Sequence, residues 1–119
     1  MFATPKGVVP FPIVFVRDVK ASLALCRILG LRLRARSRNG RWAELESPNG
    51  ALALHAADSS EEQRVEMTFE SLGPLEPLVE ALTKAGFAVE EIVDEGFGRS
   101  VNVRDPNGLT LHIDEHIAT

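Results

Sequence analysis

Ser100-Val101-Asn102-Val103-Arg104-Asp105-Pro106-Asn107-Gly108-Leu109-Thr110-Leu111-His112-Ile113 is the stretch on which the fold reading turns. Apolar and polar residues alternate on both sides of Asp105-Pro106-Asn107-Gly108, and those four residues are turn formers. The stretch therefore reads as strand, tight turn, strand. A near copy lies in the first half of the chain. There Ser47-Pro48-Asn49-Gly50 separates Ala43-Glu44-Leu45-Glu46 from Ala51-Leu52-Ala53-Leu54. Gly30, after a leucine-rich stretch at helical spacing, is matched by Gly86 after another. Two copies of one unit imply a pseudo-symmetric fold.

Working outward, each copy reads as strand, helix, then three strands. In the first, Pro12-Ile13-Val14-Phe15-Val16 is a β-branched and aromatic strand. Asp18 is placed to cap a helix whose apolar stripe is Val19, Leu23, Cys26 and Leu29, with Gly30 as its left-handed stop. Residues 31–36 alternate Leu and Arg before Ala35, and residues 41–46 alternate again. A three-residue loop there sets Arg36 opposite Trp42, Arg34 opposite Glu44 and Arg32 opposite Glu46, with Gly40 left-handed. Such pairs are worth about 0.2–1 kcal/mol each, so this register is expected over a two-residue Asn39-Gly40 turn. In the second copy, Val65, Met67 and Phe69 alternate with Glu66, Thr68 and Glu70 as one strand. Pro74 and Pro77 suit a helix's first turn, and Leu75, Leu78, Val79 and Leu82 form its stripe. A strand over residues 87–93 and the loop Gly96-Phe97-Gly98 precede the closing hairpin. Residues 1–10 read as a lead-in. The fold class expected is α+β, with tandem βαβββ modules at about residues 11–57 and 64–116 of a single domain. Each helix would cover the greasy side of its mixed sheet, and the other sides would form a cleft.

Composition narrows the function classes. The chain has 119 residues, with 45% apolar and 25% charged, which suits one soluble globular domain. A net charge of −4 lacks the basic footprint that nucleic-acid binding requires. Neither a signal pattern nor a membrane-length apolar run is present, so a cytoplasmic location is expected. The single cysteine, Cys26, sits among leucines and reads as a buried, inert thiol. Serine-nucleophile motifs, phosphate loops and Cys/His zinc spacings are absent.

With its repeat in place, the sequence resembles the vicinal oxygen chelate superfamily, also called the glyoxalase/bleomycin resistance protein/dioxygenase superfamily. The resemblance runs from about Phe11 to Glu115. It is carried by Val16-Arg17-Asp18-Val19, Ile28-Leu29-Gly30-Leu31, Phe97-Gly98-Arg99 and Val103-Arg104-Asp105-Pro106-Asn107-Gly108 in that order. It implies paired βαβββ modules, a homodimer, and, in the superfamily's metalloenzymes, His and Glu ligands on the first and last strands of the modules. Carried onto this chain, the first-strand positions fall near Phe11 and on Glu66. The last-strand positions, counted four residues past the turn glycine, fall on Leu54 and His112. Phe11 and Leu54 cannot bind a metal, which leaves Glu66 and His112 of the carried-over positions, with Asp114, Glu70 or a partner subunit as further contributors. Two protein ligands fall short of the usual three of a catalytic zinc site, so no cofactor is favoured, and a divalent metal is the alternative. His55 could join only if the turn at Pro48-Asn49 shifts the register by one residue.

The residues singled out as lining the cleft are Phe11, Ile13, Phe15, Trp42, Leu54, Phe97, Asn102 and His112. Aromatic and apolar walls with few polar anchors suit a small organic molecule. His112 is either a strand histidine with its hydrogen bonds satisfied or a proton carrier, and Glu66 is the candidate general base. His55 and His116 read as ordinary. Two functions follow from the resemblance. The first is a binding protein similar to bleomycin-resistance proteins, holding a small organic molecule without a complete metal site. The alternative is a metal-dependent lyase or isomerase of the glyoxalase I type.

Overall fold

The computed structural model describes residues 4–96 and 98–115. Phe97 and His116, both named above, lie outside the described residues. The chain divides into two compact units. The first is Pro10–Met67; the second runs from Thr68 onward and includes the chain up to Val9.

The first unit holds β2 (Ile13–Val16), α1 (Val19–Ile28), β3 (Arg32–Arg36), β4 (Trp42–Ser47), β5 (Gly50–Ala56) and β6 (Arg64–Glu66), with one 3-10 turn at Ser60–Glu62. The second holds β1 (Val8–Pro10) for most of its length, β7 (Thr68–Ser71), α2 (Leu75–Lys84), β8 (Ala88–Val89), β9 (Val93–Asp94), β10 (Arg99–Arg104) and β11 (Thr110–Glu115). The sheet orders are β3-β4-β5-β2-β6 and β8-β10-β11-β7-β1, with β9 also on β10. In each sheet the strand before the helix runs parallel to the last strand, β2 beside β5 and β7 beside β11. The neighbours of these pairs that form hairpins are antiparallel. The duplication read from the turns is thus a duplication of topology, and the fold is α+β with two mixed sheets.

Local chemistry accounts for the helices. The Asp18 carboxylate accepts the Ala21 N–H at 3.0 Å and caps α1. Past Leu29, Gly30 takes φ +95°, a left-handed stop. Pro74 precedes α2 and offers no side-chain cap, so Glu115 does that work from β11 and accepts the Leu75 N–H at 3.1 Å. Val19, Leu23, Cys26, Ala43, Leu45 and Leu54 form the core under α1, and Leu75, Val101, Val103 and Ile113 the core under α2. Burial pushes the Cys26 thiol pKa up, in keeping with an inert side chain.

Several boundaries differ from the sequence reading. The strand expected over residues 65–70 breaks at Met67: Arg64–Glu66 pairs with β2, while Thr68–Ser71 pairs with β11. Glu66 therefore belongs to the first unit's sheet. The supposed lead-in contributes β1, which borders β7. The strand expected over residues 87–93 is split into β8 and β9, both on β10.

The Arg38-Asn39-Gly40 loop closes with Ser37 N–H on the Trp42 carbonyl at 3.0 Å, and Gly40 is left-handed at φ +73°. Four residues, 38–41, thus lie between the closing pair, so the loop is neither the three-residue one expected nor a tight Asn39-Gly40 turn. Arg36 accordingly faces Ala43 rather than Trp42. The pairing recovers the expected register by Arg32, opposite Glu46, because Arg34 is the extra residue of a β-bulge. The ion pairs survive through the bulge. Arg34 lies 3.0 Å from Glu44, and Arg32 lies 3.4 Å from Glu46.

The two Pro-Asn-Gly turns are different. Ser47 pairs directly with Gly50, leaving a two-residue turn in which Asn49 keeps a negative φ. In the second unit the Asp105 N–H reaches the Leu109 carbonyl at 2.7 Å, and Gly108 takes φ +92° and donates to the Asp105 carbonyl at 2.8 Å. That is a three-residue loop. Asp105 builds it by accepting the Asn107 N–H at 2.7 Å, a bond characteristic of an aspartate opening a turn. The extra residue shifts every later position of β11 by one relative to β5.

Candidate functional site

That one-residue offset decides which side chains face away from the helix. Val14 and Val16 pack under α1, so strand alternation turns Ile13 and Phe15 to the opposite face. On β5, Leu52, Leu54 and Ala56 face α1, and Leu54 is 2% exposed in the core. Leu54 is thus not a lining residue, correcting the expectation. Its place on the far face is taken by His55. Equal counts from the two turn glycines had pointed to Leu54 because they assumed identical turns.

His55 sits in register with Phe15 on one side and Trp42 on the other, and Phe15 in turn faces Arg64. The result is a row across four strands. The Arg64 guanidinium lies 3.9 Å from the Phe15 ring centroid, Phe15 lies 4.7 Å from the His55 ring, and Trp42 meets His55 edge-on at 5.9 Å. All three rings are half-buried. The geometry falls in the range where aromatic pairs attract by about 0.5–1.5 kcal/mol beyond area burial. Next to this row, Ile13 is in register with Ala53 and Glu66. Phe11, 5% exposed, lies with the Arg34 guanidinium 5.2 Å from its ring.

The charges on this face are paired. Arg64 meets Glu66 at 3.3 Å, Arg34 meets Glu44 at 3.0 Å and Glu46 at 3.9 Å, and Arg32 meets Glu46. Trp42 Nε1 donates to Glu44 at 2.9 Å instead of stacking under Arg36. The same unit carries a cavity of about 630 Å³ lined by Arg17, Asp18, Val19, Lys20, Gly40, Arg41 and Ala56. None of the ring residues lines it. The row is the better candidate because it combines apolar surface with fixed polar anchors, whereas the cavity is bordered largely by exposed polar groups.

The corresponding face of the second unit is polar. His112 is opposite Asn102 on β10 and Thr68 on β7. Its Nδ1 is 2.8 Å from Asn102 Oδ1, and its Nε2 is 3.0 Å from Asp114 Oδ1. Both ring nitrogens therefore face oxygens. Ser100, beside Asp114, donates to Glu95 at 3.0 Å. Asn102 thus acts as a positioning partner of His112. At the end of the same sheet, Arg99 ties Glu76 of α2 to Glu115 of β11, with contacts of 2.7 and 2.8 Å to Glu76. Hydrogen bonding from Arg99 holds the Glu76 carboxyl down to about 2 and lowers that of Glu115.

The donors carried over from the resemblance do not fit a resident metal. Phe11 and Leu54 offer no ligand atoms, Glu66 is paired with Arg64, and both nitrogens of His112 are engaged. Among the described residues, no group of three or more His, Cys, Asp or Glu side chains could hold a metal ion. No helix among them is long and apolar enough to cross a membrane.

No family profile matches the sequence, and no curated protein matches it. Solved structures do. Methylmalonyl-CoA epimerase from Mycobacterium tuberculosis is 15% identical over 99% of this chain and 94% of its own, with a TM-score of 0.68. A glyoxalase/bleomycin resistance protein/dioxygenase superfamily member from Vibrio splendidus 12B01 is 13% identical over 92% and 100%, with a TM-score of 0.60. An extradiol ring-cleaving dioxygenase from B. fuscum is 17% identical over 99% of this chain and 35% of its own, also at 0.60. The chain has the fold of the glyoxalase/bleomycin resistance protein/dioxygenase superfamily. These neighbours differ in activity, so the likeness carries fold and leaves chemistry to the residues.

Proposed function

We propose that the protein binds a small, planar organic molecule against the face of the first unit's sheet that turns away from α1. The row of Phe15, His55 and Trp42 carries this reading. A ligand lying across this row meets the edges of rings already held by their neighbours, so little ordering is lost on binding. Ile13 extends the apolar surface. No metal is required, and the effect is mass action: a bound compound is withheld from its target. A homodimer in the cytoplasm is the setting the reading assumes.

A second reading, a lyase or isomerase, draws support from His112. Its contacts with Asn102 and Asp114 orient an imidazole that could move a proton. Metal analysis of the purified protein and of Glu66→Ala and His112→Ala separates the two. The binding reading predicts no stoichiometric metal in any of them. It also predicts that planar aromatic compounds quench Trp42 fluorescence and that Phe15→Ala weakens this. Stoichiometric metal lost in both variants, with no quenching, would establish the enzyme instead.

A further inference from the structure

We infer that His55 sets the specificity of this face, selecting planar ligands that carry an O–H or N–H donor. The inference rests on the binding reading above and adds the class of ligand. His55 Nδ1 lies 2.8 Å from the Ala56 carbonyl oxygen. A carbonyl oxygen has no hydrogen to give, so Nδ1 carries the proton. In the neutral ring, Nε2 is then a bare acceptor. Among the described residues Nε2 has no hydrogen-bond partner.

The surroundings do not satisfy it. Phe15 offers only carbon, and the one N–H of the Trp42 side chain is spent on Glu44. The cations in the row and beside it each have a carboxylate: Arg64 has Glu66, Arg34 has Glu44, and Arg32 has Glu46. With its charges matched, the face does not read a ligand's formal charge. What it lacks is a donor, at a point flanked by rings. A flat molecule lying along Phe15 and Trp42 with a hydroxyl or ring N–H at His55 would meet both demands. The same molecule with that donor capped by a methyl group would bring the carbon surface and leave Nε2 unsatisfied.

Two measurements test this. In the unaltered protein, at a pH where the imidazole is neutral, long-range nitrogen–proton NMR reads the tautomer of each histidine. The proton of His55 is expected on Nδ1; a proton on Nε2 overturns the inference, whatever the variants do. Second, 2-naphthol and 2-methoxynaphthalene are titrated against the protein and followed by Trp42 fluorescence. The naphthol is expected to bind about tenfold more tightly, the equivalent of one net hydrogen bond. His55→Phe should erase that preference while keeping the affinity for the methyl ether, and His55→Gln, whose carbonyl can accept, should retain part of it. Equal binding of the two compounds by the unaltered protein overturns the role of His55 and leaves the binding reading standing. Failure of both to bind overturns the binding reading and this inference together.

Discussion

Replacing Arg99 with methionine should cost the protein about 2–3 kcal/mol. The Arg99 guanidinium makes two contacts with Glu76 at 2.7 and 2.8 Å and two more with Glu115, and Glu115 also accepts the Leu75 N–H. Methionine fills similar space but leaves two carboxylates facing one another. Losing one member of a buried pair costs about 3–5 kcal/mol. Here the Glu115 side chain is 15% exposed but Glu76 is 33% exposed, so solvent screening reduces the figure to about 2–3. For a chain of this size that lowers Tm by roughly 8–12 °C. The pH dependence provides an independent check. Both carboxyls titrate lower in the folded protein than in the unfolded chain, Glu76 at about 2. Their contribution is therefore complete above the ordinary carboxylate range near pH 4.5 and is lost as the pH falls toward 2. Thermal melts from pH 7 to pH 3 should show a steeper acid loss in the unaltered protein than in Arg99→Met. A variant that melts within 2 °C of the parent, or one with an unchanged acid slope, would refute the reasoning.

Further substitutions probe the turns, the core and the assembly. Gly108→Ala should destabilise by about 1–2 kcal/mol in chemical denaturation, because Gly108 sits at φ +92°. Gly50→Ala should be close to neutral, since its added Cβ meets only the Ser47 hydroxyl at 3.9 Å; equal costs at the two sites would contradict the two turn lengths. Leu54→Ala should cost about 2–5 kcal/mol by the same assay, as a buried leucine under α1 does, while sparing any ligand-dependent quenching of Trp42. Light scattering should return twice the chain's mass; a monomer at micromolar concentration would remove the homodimer from the account.

How far the sequence could be read depended on whether a feature was local. Asp18 as cap, Gly30 and Gly86 as stops, and the apolar stripes need only their own neighbours and were legible, except that Leu29, read into the first stripe, lies past the end of α1 and is 70% exposed. Register was harder, because a single residue decides it and the deciding contact is small. Ser47 and Asp105 look interchangeable before a Pro-Asn-Gly, yet the Asp105 carboxylate holds the Asn107 N–H and opens a three-residue loop. An aspartate against a serine was the only signal, and it was too slight to overrule the symmetry of the motif. Counting from the glycines therefore put Leu54 where His55 belongs. Arg34 posed a similar problem: alternation cannot foresee a bulge, although the charge pairing that led to the longer loop was preserved through it. The edge strand β1 is three residues, too short for a periodic pattern, and β6 reads in the sequence as the start of one longer strand; its separate pairing with β2 appears only once the sheet that recruits it is seen. That Ile13 and Phe15 point to the same side of their strand was legible from alternation alone.

The account stands or falls on the register of β5, which NMR contacts between ring protons read directly. His55 ring protons should show contacts with the rings of Phe15 and Trp42, and the Leu54 methyls with Leu23 and Val19. Leu54 methyls against Trp42, with the His55 ring among the α1 side chains, would contradict it.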